Sequence, residues 1–308
     1  MERLLVTGID FSLGSNLALA LADRFDVLGL YSQDAVESSG LRTGYCAPGD
    51  RAAIEGWIQE WRPQWMIHCP ALSASNWDPV ASGSLADGEP RFVAHLAELT
   101  CDVSARLTVL SSDAVFAGPR MFHEETSGAF SPAPRAGQVR NMERSLETSG
   151  ALVVRTHAYG WSPAAVSGGF AQRALESLAA GISVTVDGRR HATPILATDL
   201  AELLARAYEL RLHGLYHLAG AERTSPWGFV SELAAALGMH WSSGRPATRG
   251  PASTEWHDET SLDSKQARRV LEMATPMLRE GLYRFAAQAH NGWRDRWHVI
   301  GQASQRAA

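Results

Sequence analysis

The sequence predicts an α/β fold: a doubly wound parallel sheet with a small C-terminal substrate lobe. Three observations predict it. Short apolar runs of strand length alternate with amphipathic stretches of helix length through the first half of the chain. Gly8 and Gly14 bracket the passage from the first apolar run into the first helical stretch. After Gly160 the alternation gives way to shorter, more mixed segments. Right-handed crossovers between parallel strands then collect the strands' C-terminal ends along one ligand-binding edge.

Each element follows from local pattern. Leu4-Leu5-Val6-Thr7 reads as a buried strand and Leu13 to Arg24 as a helix. Val27 to Tyr31 is a second strand, and Arg51 to Trp61 is an amphipathic helix. Trp65-Met66-Ile67-His68-Cys69 is a strand ending at Pro70, followed by a helix from Arg91 to Leu99. Leu107 to Ser111 is the next strand. A polar, helix-like stretch from Gly137 to Glu147 leads to a strand at Leu152 to Arg155. Beyond Gly160 the expected order is a helix over 169–180, a short strand over 182–186, a helix over 198–210 and a strand over 214–218. Ser225 and Pro226 then open a helix to Leu237, the serine as N-cap and the proline at the first position. Trp241 to His257 is rich in Ser, Gly and Pro and reads as a loop. The expected division is 1–160 for nucleotide binding and 161–285 mainly for a substrate-binding lobe, with some elements returning to the core. Residues 286–308 form a tail, in which Trp293 to Trp297 is a candidate partner contact.

Composition narrows the function. The chain has 308 residues and a hydrophobic fraction of 45%, ample for a packed core. A formal charge of −5 gives no basic footprint for nucleic acid. No apolar run reaches membrane-spanning length. Met1 to Val6 passes directly into a strand, so a cytoplasmic protein is expected. Cys46, Cys69 and Cys101 have neither metal-ligand spacing nor disulfide density, and no metal is expected.

Val6-Thr7-Gly8-Ile9-Asp10-Phe11-Ser12-Leu13-Gly14 stands where a Rossmann-type fold carries its glycine-rich turn. There, backbone amides and a helix N-terminus face a pyrophosphate. Gly8 and Gly14 fit that role, with Ser12 and Leu13 opening the helix, but Phe11 replaces the middle glycine. A benzyl group would sit where the backbone should approach phosphate. The alternative is a simple strand-to-helix turn. The second strand ends Tyr31-Ser32-Gln33-Asp34, with no clear acid for a ribose and no arginine for a 2′-phosphate. Asp10 and Asp34 read as ordinary loop carboxylates.

Several segments together resemble dTDP-4-dehydrorhamnose reductases, extended short-chain dehydrogenases/reductases that act on sugar nucleotides. Val109 to Gly118, containing Ser111-Ser112-Asp113, is similar to their Ser-Thr-Asp-Tyr-Val-Phe-x-Gly signature. Val154-Arg155-Thr156-His157-Ala158-Tyr159-Gly160 resembles their Leu-Arg-Thr-x-x-Val-Tyr-Gly region, one residue shorter. Pro194 with Thr198-Asp199-Leu200-Ala201, then Ser261 to Lys265 and Met277 to Leu282, are similar to their later segments. The regulatory subunit of methionine adenosyltransferase shares this architecture. The resemblance implies NAD(P), a sugar-nucleotide substrate and a Ser/Thr, Tyr and Lys catalytic group; it also makes a homodimer or protein partner a candidate. Ser112 matches the hydroxyl position. Aligning Gly137 puts Ala136 at the Tyr position and Arg140 at the Lys position; a shift by one gives Arg135 and Val139. Neither register supplies a phenol, and the only lysine of the chain is Lys265. A guanidinium at Arg140 keeps a positive charge but is no proton donor at neutral pH.

The remaining candidates follow from position. His68, Cys69 and Pro70 stand where the resembled strand ends Asn-Ala-Ala, beside the cofactor. His68, Asp113, His157 and Tyr159 are substitute acid/base groups, although each histidine taken singly reads first as a hydrogen-bonded structural residue. Arg189-Arg190-His191 reads either as a clamp for a diphosphate or carboxylate or as a solvated turn. Trp77, Trp161, Trp227 and Trp256 read as core or interface residues, with Trp161 the exception that borders the substrate cleft in the resembled family. Three functions compete: a non-catalytic relative that binds a nucleotide or a partner, an enzyme on a sugar nucleotide or similar anionic metabolite with relocated acid/base groups, and a weak NAD(P)H-dependent reductase.

Overall fold

A computed structural model describes residues 1–78, 85–163, 168–182, 184, 186–239, 241 and 259–302. Of the expected loop over 241–257 only Trp241 is among them, and Trp256 lies outside. Strands β1 (Glu2–Thr7) and β2 (Phe25–Tyr31) flank helix α1 (Ser12–Leu21). Two short strands follow, β3 (Asp34–Ser38) and β4 (Arg42–Tyr45), then α2 (Arg51–Trp61). Next come β5 (Trp65–His68), α3 (Leu85–Asp102), β6 (Arg106–Ser112), α4 (Pro134–Arg144) and β7 (Leu152–Thr156). The second half runs β8 (Ala158–Tyr159), α5 (Phe170–Ala179), β9 (Ile195–Leu196), α6 (Ala197–Glu209), β10 (Gly214–His217) and α7 (Pro226–Ala236). It closes with α8 (Lys265–Leu271), α9 (Leu278–Gln288) and β11 (Trp297–Gln302).

The main sheet has seven strands in the order β10-β7-β6-β5-β1-β2-β4. Its ladders are parallel throughout. Both faces are buried, which is why the strands read as continuous apolar runs. Leu4, Val6, Ile67 and Leu110 pack toward α1 and α6, whereas Leu5, Met66, Val109 and Val153 pack toward α2, α3 and α4. A third apolar cluster joins α5, α7 and α9 around Trp77, Tyr159, Trp161, Phe229 and Phe285. Ser225 caps α7 as expected, accepting the Gly228 N–H at 3.2 Å. No helix among the described residues is long and apolar enough to cross a membrane.

One expectation changes. Ile182, Val184 and Val186, the described residues of the expected strand over 182–186, lie outside any strand. Their alternation serves another purpose: Val184 and Val186 dock on the third apolar cluster while Ile182 is exposed. The tail also packs on its own chain, where β11 pairs antiparallel with β3. β3 and β4 are additions to the expected elements. The chain fits Gly44 into β4 because a Cβ there would meet the Trp57 ring at 2.5 Å.

A buried ion pair fixes α4 against the sheet. Glu143 accepts from Arg155 Nε at 2.8 Å and Nη2 at 2.7 Å, and from Ser111 Oγ at 2.6 Å. Arg155 Nη1 also lies 3.4 Å from Nε2 of His217, which is fully buried. Burial first, and the Arg155 charge second, lower the His217 pKa from 6.5 to about 3. Glu125 accepts the His217 backbone N–H, while His123 and Asp263 face the same ring. The unfolded chain therefore takes up this proton first as pH falls. Stability is fully present above pH 6.5 and is lost toward pH 3, by up to about 1.4 kcal/mol per pH unit for one such group. Urea unfolding should show a falling midpoint between pH 7 and 5, and His217→Gln should flatten that slope; equal slopes in the two proteins would refute the assignment.

Candidate functional site

Asp113 directly follows β6 and is fully buried. Its Oδ2 lies 2.8 Å from His157 Nδ1 and accepts the Thr260 hydroxyl at 2.5 Å. Its Oδ1 accepts the Asn76 N–H at 3.0 Å. Burial by itself raises this carboxyl's pKa, but the His157 ring, Thr260 and Asn76 outweigh it and hold it below the ordinary value. His157 is 1% exposed and lines a cleft with Ser12, Ser75, Trp77, Asp78 and Tyr159. The cleft has room for about one water molecule. Asp113 thus orients an imidazole whose second nitrogen is left for proton transfer, the relation of orienting acid to base in hydrolytic triads.

Ser112 is spent differently. Its hydroxyl donates to the Ala74 carbonyl at 2.6 Å and accepts the Ala114 N–H at 3.1 Å. Arg135 Nη2 also donates to the Ala74 carbonyl, and Nη1 reaches the Ser75 carbonyl at 3.4 Å. Burial lowers the Arg135 pKa, while Asp113 and Asp78 oppose the shift. Ala136 and Val139 point into the core. Of the two alignments, the geometry therefore brings Arg135, not Ala136, beside Ser112. Arg140 is not brought there; its guanidinium stacks 4.6 Å above the Phe130 ring.

Tyr159 lines the cleft, but its phenol lies against α9, where a Cβ on Gly281 would meet its oxygen at 2.6 Å. Burial, aided by the Asp199 charge, raises its pKa strongly. Trp161 is locked away from the cleft lining: its Nε1 donates to the Phe285 carbonyl and its ring stacks on Phe285. Arg190 does not meet Ser112 directly, because residues 74–78 stand between. Its Nη1 reaches the Asn76 carbonyl at 3.3 Å, and its own carbonyl accepts from Trp77 Nε1 at 2.8 Å. Arg189 donates its backbone N–H to Asp187. The His191 carbonyl accepts from Thr260, which links it to Asp113. Asn76, Thr260 and Arg135 are thus central contacts. Only Arg135 had a signal in the sequence, through the shifted register.

The turn over 8–14 is tightly built. Gly8 has φ +72°, and a Cβ there would lie 2.4 Å from the Cys69 carbonyl; one on Gly14 would lie 2.3 Å from the Gly8 carbonyl. Phe11 is half-buried and precedes α1 without a side-chain cap, leaving the first amides of Ser12 and Leu13 at the helix N-terminus. Thr7 Oγ1 accepts the Cys69 N–H and meets His68 Nδ1 at 2.7 Å. His68 Nε2 lies 2.7 Å from Glu89, so both ring nitrogens are engaged. Burial raises the Cys69 thiol pKa. Among the described residues no cluster of His, Cys, Asp and Glu has the makings of a metal site.

A parallel sheet in this order, a glycine turn before α1 and a Ser-Asp pair ending β6 define an extended short-chain dehydrogenase/reductase-type fold. The chain belongs to the RmlD substrate binding domain family, whose model matches residues 1–291. It is 27% identical over 260 residues to a dTDP-4-dehydrorhamnose reductase of Streptomyces griseus, covering 80% of each chain. It is 26% identical over 264 residues to methionine adenosyltransferase 2 subunit beta of Xenopus tropicalis, covering 77% of this chain and 75% of that one. In fold it matches the Bacillus anthracis dTDP-4-dehydrorhamnose reductase solved with NADP, at a TM-score of 0.73 and 18% identity over 93% of this chain and 98% of that one.

Proposed function

We propose that this protein is a divergent relative that binds a nucleotide or an anionic sugar-nucleotide-like ligand, with the usual keto-sugar reduction lost. One observation carries this: the helix that should present a phenol to Ser112 presents Arg135, tied to the carbonyls of Ala74 and Ser75. A guanidinium cannot protonate a carbonyl oxygen at neutral pH. The B. anthracis relative was solved with NADP, which supports NAD(P) as the cofactor class. Gly8 and Gly14 fit such a group, with the Ser12 and Leu13 amides as phosphate donors, and Phe11 opposes it. Bound NAD(P)H would supply a hydride; Ser112 and Arg135 would then only position and neutralise charge. In this reading the protein works in the cytoplasm, alone or with a second copy.

Steady-state NADPH oxidation with dTDP-4-dehydrorhamnose should be negligible. Turnover in the ordinary range of about 1–1000 per second would overturn the loss of reductase chemistry. Phe11→Gly should strengthen NAD(P)H binding measured by calorimetry. Micromolar binding by the unmodified chain, or no gain on substitution, would show that Phe11 does not obstruct the pyrophosphate.

The Asp113–His157 pair supports a second reading, an enzyme on a sugar nucleotide or similar metabolite with a relocated base. There, His157→Gln should cost about two to four orders of magnitude in turnover. An unchanged rate would remove His157 from the chemistry.

A further inference from the structure

The second strand ends without the acid that commonly receives the adenosine ribose in dinucleotide-binding folds. The structure supplies a carboxylate at that place from elsewhere in the chain. Asp10, in the turn between β1 and α1, reaches across to the end of β2. Its Oδ2 accepts the Ser32 N–H at 3.1 Å, the Ser32 hydroxyl at 3.0 Å and the Gln33 N–H at 2.8 Å. Three donors on one oxygen fix the carboxylate's position and orientation. The other oxygen, Oδ1, is buried with no donor among the described residues.

Buried acceptors nearly always have a partner, so an orphan carboxylate oxygen at a nucleotide turn asks for a donor. Burial raises the Asp10 pKa, and the backbone N–H groups of Gln33, Ser32 and Asp10 itself oppose that shift. A hydroxyl would satisfy Oδ1, whereas a phosphate would place two like charges together.

We propose that Asp10 receives the ribose hydroxyls of an adenine nucleotide at this turn, selecting a free 2′-hydroxyl over a 2′-phosphate. The inference rests on the nucleotide-binding reading above. It assigns the selection to a residue of the turn itself, delivered to the β2 end by the fold. Asp10 is only 1% exposed, so the turn must open to admit the ribose. Phe11, the next residue, is half-buried at the same turn.

Calorimetry with ADP, 2′-deoxy-ADP, NADH and NADPH tests this, on the full chain and on Phe11→Gly. ADP should bind at least about tenfold more tightly than 2′-deoxy-ADP, the low end for one hydrogen bond to a charged group. NADH should exceed NADPH by a similar factor, and Asp10→Asn should erase that preference by removing the charge that opposes a 2′-phosphate. The ADP pair needs no Asp10 variant, so a variant that fails to fold leaves that comparison standing. Binding without discrimination, or tighter binding of NADPH, overturns this inference alone. If none of these nucleotides binds either protein at millimolar concentration, the nucleotide-binding reading falls with it.

Discussion

Asp113 carries a charge into the fully buried interior, and a buried charge must be compensated. The compensation comes from three distant parts of the chain. His157 arrives after β7, Asn76 from the loop after β5, and Thr260 from the segment before α8. Each partner is thereby fixed relative to the sheet edge. The Thr260 backbone N–H also donates to the His191 carbonyl, so the same bond set holds the segment carrying Arg189 and Arg190. Removing one partner would leave charge unbalanced in a low dielectric. The ligand edge consequently behaves as one unit rather than as a set of independent loops.

The same unit fills the space beside Ser112. The loop over 74–78 occupies the space between Ser112 and Arg190, and Arg135 pins it by its carbonyls. Asp78 Oδ1 accepts the Phe170 N–H at 2.6 Å, placing a carboxylate on the N-terminus of α5. A helix N-terminus attracts anions, and here the chain provides its own. The guanidinium of Arg135 sits near both Asp78 and Asp113 and balances them. A phenol at the Arg135 position would leave those two carboxylates without that cation. Arg135 and the two carboxylates are therefore electrostatically coupled.

The fold was legible because a parallel sheet covered on both faces demands continuous apolar strands at helix-length intervals. β3, β4 and β11 escaped that logic. β3 and β4 mix Asp, Glu, Arg and Thr with few apolar residues, and β3 and β11 pair with each other away from the main sheet. At the site, Ser112, Asp113 and His157 were legible from their places at strand ends. Asn76 and Thr260 were not, since each reaches Asp113 only through the three-dimensional path of a loop. The two possible registers of α4 could not be separated by spacing. Burial separates them: Ala136, Val139 and Met142 face the core, which turns Arg135 to the sheet edge and Arg140 to Phe130.

The link between β2 and β4 shows how the tail enters this economy of contacts. That link is the strand β3, whose Ala35 and Val36 are fully buried. A strand laid over a core exposes backbone groups that need partners, and β11 supplies them, with Trp297 opposite Ser38 and Gln302 opposite Asp34. On the way, Trp293 Nε1 donates to Asn16 Oδ1 of α1, and Arg294 pairs with Glu176 of α5 while lying over the Trp161 ring. Asn16 in turn donates to the Trp161 carbonyl. The tail is therefore bonded to the nucleotide-turn helix, to the α5 helix and to the strand that follows Ser32 and Gln33. Those are the residues that hold Asp10. On the proposed nucleotide reading, an opening of this turn would have to work against that ribbon as well.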